Sequence, residues 1–548
     1  MKTLSSPIRT VCIAAGLVAS LAGDTTAQAV SDARVSELLA QARAQAPTAP
    51  PAKAPAQVAA IPGVGLTMDE AVAKALQLNI DLSVARLNPQ VAELGISIAF
   101  GPYIPNITAS LGENSRTSAP GSQIGGGATV NTKTTTYNFG ASQGLKWTGG
   151  TANINWTNSR QETNNNLTTI NPRYDSGVQF QLVQPLWRNR AIDANRQSIL
   201  TSEINRRLAD VTLRASTINT VANTKNAYWD LVYATQAVEA AKTSLDLALK
   251  LVEDNKTRVE IGTLAPLDVV SAQAEAATRQ QTLVTAEANR RTAELVLKRL
   301  IVSGTDDAIW NSTLDPTDRP PTNVAEKIDL EGALKAALEN RTDIVTARKN
   351  LEVSQIGLKY QQNQSRPGLD LTATYTTAGT GGTVTNINPP LQGGYGDALS
   401  QLARFQLPTW NVQVVFSYPI GTSAQDATYA RSQVQYEQSL AQLKSLELSV
   451  ATDLTNQALT VRSSFESVQA ATAALELSKK RLEAEQSKFE VGMSTNYNVV
   501  LAQRDYTDSQ NAQLRAILNY RKALVDWQRK QETSSSGGSG SSSVGSGS

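Results

Sequence analysis

Two stretches of this chain contain no helix breaker. From Leu186 to Ile261, and again from Thr422 to Val491, neither glycine nor proline occurs over more than 65 residues. Apolar residues recur there three and four apart, as in Leu245, Leu249 and Val252 or Leu440, Leu443, Leu446 and Val450, which is the period of one helix face. An unbroken helix of that length reaches roughly 100 Å at about 1.5 Å per residue. Globular helices rarely pass about 25 residues, so the pattern predicts coiled coil. Each run ends at a glycine, Gly262 or Gly492, and a second helical pattern follows at about 265–302 and 495–531. Glycine takes the left-handed conformation that closes a helix. Pro266 suits the first turn of the next helix, where its missing N–H costs nothing. Two antiparallel hairpins are therefore expected. Their seams are rich in small residues, such as Ala272, Ala274, Ala276 and Ala277, or Ala470, Ala471, Ala473 and Ala474. Small residues bury little area each, so side-by-side assembly of several copies is expected to remove more apolar surface from water.

The hairpins belong to a larger repetition. VEIGTLAPLDVVSAQ (259–273) returns as FEVGMSTNYNVVLAQ (489–503), EAVAKALQLN (70–79) as EGALKAALEN (331–340), and DLSVARLN (81–88) as DIVTARKN (343–350). VQFQLVQPL (178–186) likewise returns as VQVVFSYPI (412–420). Such a long period is an internal, domain-sized duplication rather than a solenoid. The expected layout is a signal peptide at 1–29, a Pro/Ala-rich linker at 30–65, a first repeat at 66–304, an inter-repeat linker at 305–327, a second repeat at 328–532 and a Ser/Gly-rich flexible tail at 533–548. The signal rests on Lys2 and Arg9, the short apolar run VCIAAGLVASLAG and the small-residue site Ala27-Gln28-Ala29.

Composition excludes several chemistries. There is no histidine, and the one cysteine, Cys12, lies inside the expected signal. Zinc, copper, haem and Cys–His catalysis lose their usual ligands and bases. A net charge of +2 is too balanced for a nucleic-acid binder. No nucleophile motif, phosphate loop or metal cluster is legible. No enzyme activity, cofactor or metal site is expected.

Between the helical parts the period changes from four to two. NITASLG (106–112), YNFGASQGLKW (137–147), TANINWTNS (151–159), VQFQLVQPLW (178–187), LDLTATY (369–375) and WNVQVVFSYP (410–419) alternate, as strands with one apolar face do. Val178, Phe180 and Leu182 oppose Gln179, Gln181 and Val183. Long Gly-, Thr- and Asn-rich connections at 113–133, 160–174 and 380–407 contrast with the tight turn WTGGT (147–151), an asymmetry typical of outer-membrane barrels. Trp147, Trp156, Trp187, Trp410 and Tyr418 fall near strand ends, either as an interfacial girdle or as packing at a barrel–helix junction. Six strands cannot close a barrel alone, whereas strands shared between subunits leave no open edge in lipid. The fold class expected is mainly α, a long antiparallel coiled-coil tunnel, joined to a shared membrane β-barrel. The rival is a coiled-coil scaffold or adhesin without a pore.

Together, the duplication, the strand-to-helix junctions at Pro185 and Pro419 and the two glycine turns resemble the TolC-type outer-membrane efflux family over about residues 66–530. The resemblance implies a homotrimer in the outer membrane of a Gram-negative-type cell, extending into the periplasm. It implies a passive exit duct for small molecules or proteins, docked by a periplasmic adaptor and an inner-membrane efflux transporter, in drug efflux, metal export or type I secretion. It places Ile261, Gly262, Thr263, Val491, Gly492 and Met493 at adaptor-contacting tips. It puts an entrance constriction just inside them, with Asp268 from the first repeat. Asn498 and Leu501 stand where well-known members carry two acids, so a polar or apolar gate is expected in place of an acidic ring. Arg504 and Asp505 either tie neighbouring helices in the closed state or form a solvated face. Members usually contribute four strands each to a 12-stranded barrel. The extra hairpin at about 134–160 leaves 12 or roughly 18 strands per trimer open.

Overall fold

The computed structural model describes residues 63–119, 129–262, 264–319, 326, 328–385, 387, 389–421 and 423–534. The expected signal peptide, most of the two terminal segments and Thr263 lie outside the described residues.

The elements run β1 (Gly63–Leu66), α1 (Met68–Leu78), α2 (Ile80–Ala99), β2 (Asn106–Ser118), β3 (Val130–Gly144), β4 (Thr151–Thr163), β5 (Ile170–Pro185), α3 (Ala194–Glu260), α4 (Pro266–Ile301), β6 (Thr313–Pro316), α5 (Leu330–Asn340), α6 (Thr342–Gln364), β7 (Gly368–Val384), α7 (Tyr395–Ala403), β8 (Leu407–Ser417), α8 (Ala424–Glu490) and α9 (Asn496–Glu532). The breaker-free runs are the helices α3 and α8, each of 67 residues. Both start on a side-chain cap: Asp193 accepts from the Arg196 N–H, and Ser423 from the Asp426 N–H. The order α1-α2-strands-α3-α4 recurs as α5-α6-strands-α8-α9. The matching sequence motifs make matching contacts. Arg86 Nη2 donates to the Leu76 carbonyl at 2.6 Å, and Arg348 Nη2 to the Leu338 carbonyl at 3.0 Å.

The long helices form one layer. α3 lies between α2 and α4 on one flank and α6 and α9 on the other, and α8 packs beyond α6 and α9. Two buried clusters hold it. One gathers Tyr228, Leu231, Leu297, Ile301 and Leu314. The other gathers Ile344, Val450, Leu454, Val461 and Tyr520. The seam of α3 departs from the sequence reading at one place. Leu249 is 51% exposed while Ala248 is 3% exposed. The buried line passes through Leu245, Ala248, Val252 and Asn255, steps of three and four that leave Leu249 one position off the seam.

All six alternating segments join one antiparallel sheet of order β2-β3-β4-β5-β7-β8. The extra hairpin, β3 and β4, is inside that sheet rather than beside it. The strands outrun the sequence reading because Thr, Asn and Gly positions keep pairing, as in Asn114 with Thr134 and Arg160 with Tyr174. The expected loops 113–133 and 160–174 shrink accordingly, and 380–407 carries the helix α7. The β3–β4 turn points toward the helices, where Gly149 takes φ +72° against Asn189 and Arg196. The β4–β5 connection lies at the opposite end of the sheet.

Candidate functional site: the paired helical tips and the apolar sheet face

The tips are built alike. α3 ends at Glu260 and α8 at Glu490, and the next glycine in each, Gly262 and Gly492, has φ +78°. That left-handed geometry is open to glycine at little cost. It leaves apolar residues in solvent: Ile261 is 69%, Val491 70% and Met493 79% exposed. Pro266 opens α4 at its first position, and Thr495 caps α9.

The two tips also hold each other. Asn255 Nδ2 donates to Asn496 Oδ1 at 3.0 Å, both residues being buried. Asn496 Nδ2 reaches the Asp268 carbonyl at 3.4 Å. Arg258 donates to the Phe489 carbonyl at 3.2 Å and lies over that ring at 4.4 Å. Leu251, Phe489 and Val499 close a small apolar cluster beneath. In the second tip Glu485 accepts from Lys488 at 2.8 Å and Ser494 at 2.7 Å, and these bonds hold its carboxyl below the usual range.

Above the tips, Arg504 Nη2 donates to Glu275 Oε2 at 2.9 Å, tying α9 to α4. Glu275 also pairs with Arg279 at 2.6 Å. Arg481 Nη1 donates to Asp505 Oδ2 at 2.7 Å, tying α8 to α9. The structure thus brings Arg504 and Asp505 to partners on two different helices. Asp268 is half-buried in the first turn of α4, Asn498 is exposed and Leu501 is half-buried. Sequence reasoning missed Asn255, Asn496, Glu275 and Arg481. A polar Asn on the seam of α3 was the readable signal for the first; the others become partners only when α4, α8 and α9 converge.

The sheet has one apolar face. Its register lines up Trp410, Tyr375, Phe180, Ile154, Ala141 and Ile107 as one row across all six strands. Neighbouring rows add Val412, Leu182, Trp156 and Phe139. Many of these are exposed, including Ile107 at 79% and Trp410 at 73%. The opposite face carries Ser110, Asn138, Asn155, Gln179, Thr374 and Asn411. From Tyr174 to Pro185, at about 3.3 Å per residue and about 40° of tilt, this part of β5 rises roughly 28 Å, close to the apolar band of an outer-membrane barrel. Trp147, Trp187 and Tyr418 are exposed at its helix-side end. Trp156 and Trp410 instead lie within strands, because β4 and β8 extend past the segments that alternation marked.

The sequence profile of the outer membrane efflux protein family matches residues 148–302 and 333–528, more than half of the chain. The chain belongs to this family. Its fold is also that of solved membrane channels. CusC, in structures addressing transmembrane channel formation, aligns with a TM-score of 0.63 at 14% identity over 89% of this chain and 100% of that one. The Campylobacter jejuni CmeC outer membrane channel gives 0.61 at 15% over 85% of each chain. The open Neisseria gonorrhoeae MtrE outer membrane channel gives 0.57 at 18% over 85% and 88%. No curated protein sequence matches the chain. The family consists of TolC-type outer-membrane efflux channels, not enzymes, and the protein is one of the outer membrane that extends into the periplasm. Among the described residues no helix is long and apolar enough to cross a membrane. With its exposed apolar rows, the sheet face is the candidate membrane surface of this family member, and the tips are its candidate periplasmic end.

Proposed function

We propose that three copies of this chain form a passive exit duct through the outer membrane, with an 18-stranded shared barrel above a helical tunnel. Open edges carry this reading. At the two margins of the sheet β8 is exposed along its whole length and β2 at every residue but Ser118, and a sheet in lipid cannot leave its edge N–H and C=O groups unsatisfied. The helical layer has matching margins. On α2, Ile80, Val84, Leu87, Val91, Leu94 and Ile98 form a stripe at alternating steps of four and three, each at least 54% exposed, which is the seam of a left-handed coiled coil without its partner. On the far margin α8 exposes Val434, Leu448, Leu459 and Leu477. α6, the counterpart of α2, already packs between α3 and α8. An internal duplication makes α8 of a second copy the natural cover for α2. Both strands of the extra hairpin lie inside the sheet, which supports six strands per copy over four.

At the lower end the exposed tip residues Ile261, Gly262, Val491, Gly492 and Met493, together with Thr263, meet a periplasmic adaptor that links the duct to an inner-membrane transporter. Asp268, Asn498 and Leu501 line the entrance constriction, and the Arg504–Glu275 and Asp505–Arg481 ties hold it narrow. The cargo is a small molecule or a protein delivered by the pump, in efflux or type I secretion. Native mass measurement in detergent and recording in planar bilayers test the reading: a three-chain assembly with unitary current is expected. A folded single chain that passes no current overturns it.

A further inference from the structure

The helix α7 lies where sequence reasoning expected a loop, and it sits on the membrane side of the sheet. Its contacts are with β7 and β5. Thr377, Gly379 and Gly381 of β7 have the same parity as the band residues Ala373 and Tyr375, so α7 rests on the apolar face just outside the band. Two glycines permit this. A Cβ on Gly379 would collide with the Ala398 carbonyl oxygen, and one on Gly381 with that of Gly394.

What α7 covers is polar. Asn158, Ser176 and Thr377 are each 2% exposed on that face. Tyr395 OH donates to Asn158 Oδ1 at 2.7 Å, Ser176 Oγ to the same oxygen at 2.7 Å, and Trp156 Nε1 to Ser176 Oγ at 3.0 Å. The Tyr395 ring meets Tyr137 at 5.7 Å and Tyr174 at 6.2 Å. α7 also replaces a missing strand. β8 stops pairing at Leu407, opposite Ala378. Beyond it the Thr380 N–H donates to Gln401 Oε1 at 3.1 Å, and Gln401 Nε2 donates to the Thr380 carbonyl at 2.9 Å. In water these groups need no such cover; at the edge of lipid, each one left unmatched is costly.

The exposed surface of α7 is amphipathic: Asp397 and Ser400 stand beside Leu399, and Arg404 and Phe405 follow just past its end. Leu399 is 40% exposed, and Phe405 is 55% exposed although it holds φ +50°, a conformation a bulky residue rarely takes. Ala398 and Leu402 face the sheet. We propose that α7 is an interfacial helix, lying in the outer headgroup layer of the membrane with Leu399 and Phe405 against lipid. The occupant is lipid because α7 lies across the face of the sheet and continues the band over β5 and β7, whereas a second copy joins edge to edge along β2 and β8. This inference rests on the membrane placement of the sheet.

The test is depth measurement by nitroxide spin labels on the full chain in lipid vesicles, in a background without Cys12. Leu399→Cys and Phe405→Cys are compared with Ile154→Cys in the apolar band and Leu167→Cys on the β4–β5 connection. The readout is the ratio of collisions with oxygen to those with a nickel chelate. Both α7 labels should give ratios several-fold above Leu167→Cys and below Ile154→Cys. Ratios equal to those of Leu167→Cys would overturn the lipid contact. Ratios equal to those of Ile154→Cys would overturn the headgroup placement, and labels shielded from both probes would point to a protein partner and overturn it too. A water-like Ile154→Cys would instead sink the membrane placement, and this inference with it.

Discussion

Replacing Glu275 with Gln tests whether the tie between α4 and α9 holds the entrance closed. Glu275 and Arg279 keep 12% and 11% of their side chains exposed, and Arg504 keeps 54%. An exposed ion pair is worth about 0.2–1 kcal/mol, and a hydrogen bond to a charged group about 1.5–3 kcal/mol. With one partner buried and the other half in solvent, about 1 kcal/mol per chain is the reasonable figure. In the proposed trimer, three chains opening together lose about 3 kcal/mol of closure, a shift of roughly 150-fold toward the open state at about 1.4 kcal/mol per tenfold. Glutamine keeps the shape and an acceptor but removes the charge shared by the two arginines. Single-channel recording should show a longer open time for Glu275→Gln than for the parent. Raising salt from about 0.1 M to 1 M shortens the screening length from about 10 Å to 3 Å. The parent should therefore open further in high salt while the variant changes little. A double-mutant cycle with Arg504→Gln separates this pair from Arg279. An unchanged open fraction in Glu275→Gln, or additive effects in the cycle, would refute the tie.

Leu501→Asp places an acid inside the proposed constriction; cation selectivity or block by divalent cations should rise, and a conductance identical to the parent would count against Leu501 in the gate. Gly492→Ala forces an alanine to φ +78° with nothing within 4 Å of its Cβ, so the cost is backbone strain alone, about 1 kcal/mol, read as a modest drop in thermal midpoint at unchanged helix content. Tyr228 is fully buried, its OH donating to Leu66 O at 3.0 Å or Asp318 Oδ2 at 2.9 Å, and burial pushes its phenol well above the ordinary value. Because the folded-state value is the higher one, this contribution is full below pH 10 or so and is lost as pH rises further. Tyr228→Phe should be less stable than the parent at neutral pH by about 1 kcal/mol, with the gap narrowing in alkaline unfolding titrations; a constant gap would refute the assignment.

Much of the architecture was legible because its signals are local. Absence of Gly and Pro from 186–261 and 422–491 sufficed to mark α3 and α8, and Gly262 with Pro266 marked a tip to within a residue. Alternation found the six strands of the large sheet and missed the short parallel pair β1 and β6. It underestimated their length, since Thr and Asn positions such as Asn114 and Thr134 pair without an apolar signature. The candidate tips were readable for the same reason as the helices. Their mutual fastening was not: Asn255 and Asn496 are 241 residues apart, and nothing in either neighbourhood announces the other.

The sequence alone determined the rods, their hairpin turns and a sheet with one oily face, since each follows from backbone preferences and a period read over a few residues. Only the tertiary structure decided that β3 and β4 enter the sheet, that Arg504 and Asp505 reach partners on separate helices, and that 380–407 folds a helix onto the apolar face. These outcomes depend on pairings between distant segments. Register, glycine clearance and desolvated polar groups select such pairings only after the chain has brought both sides together.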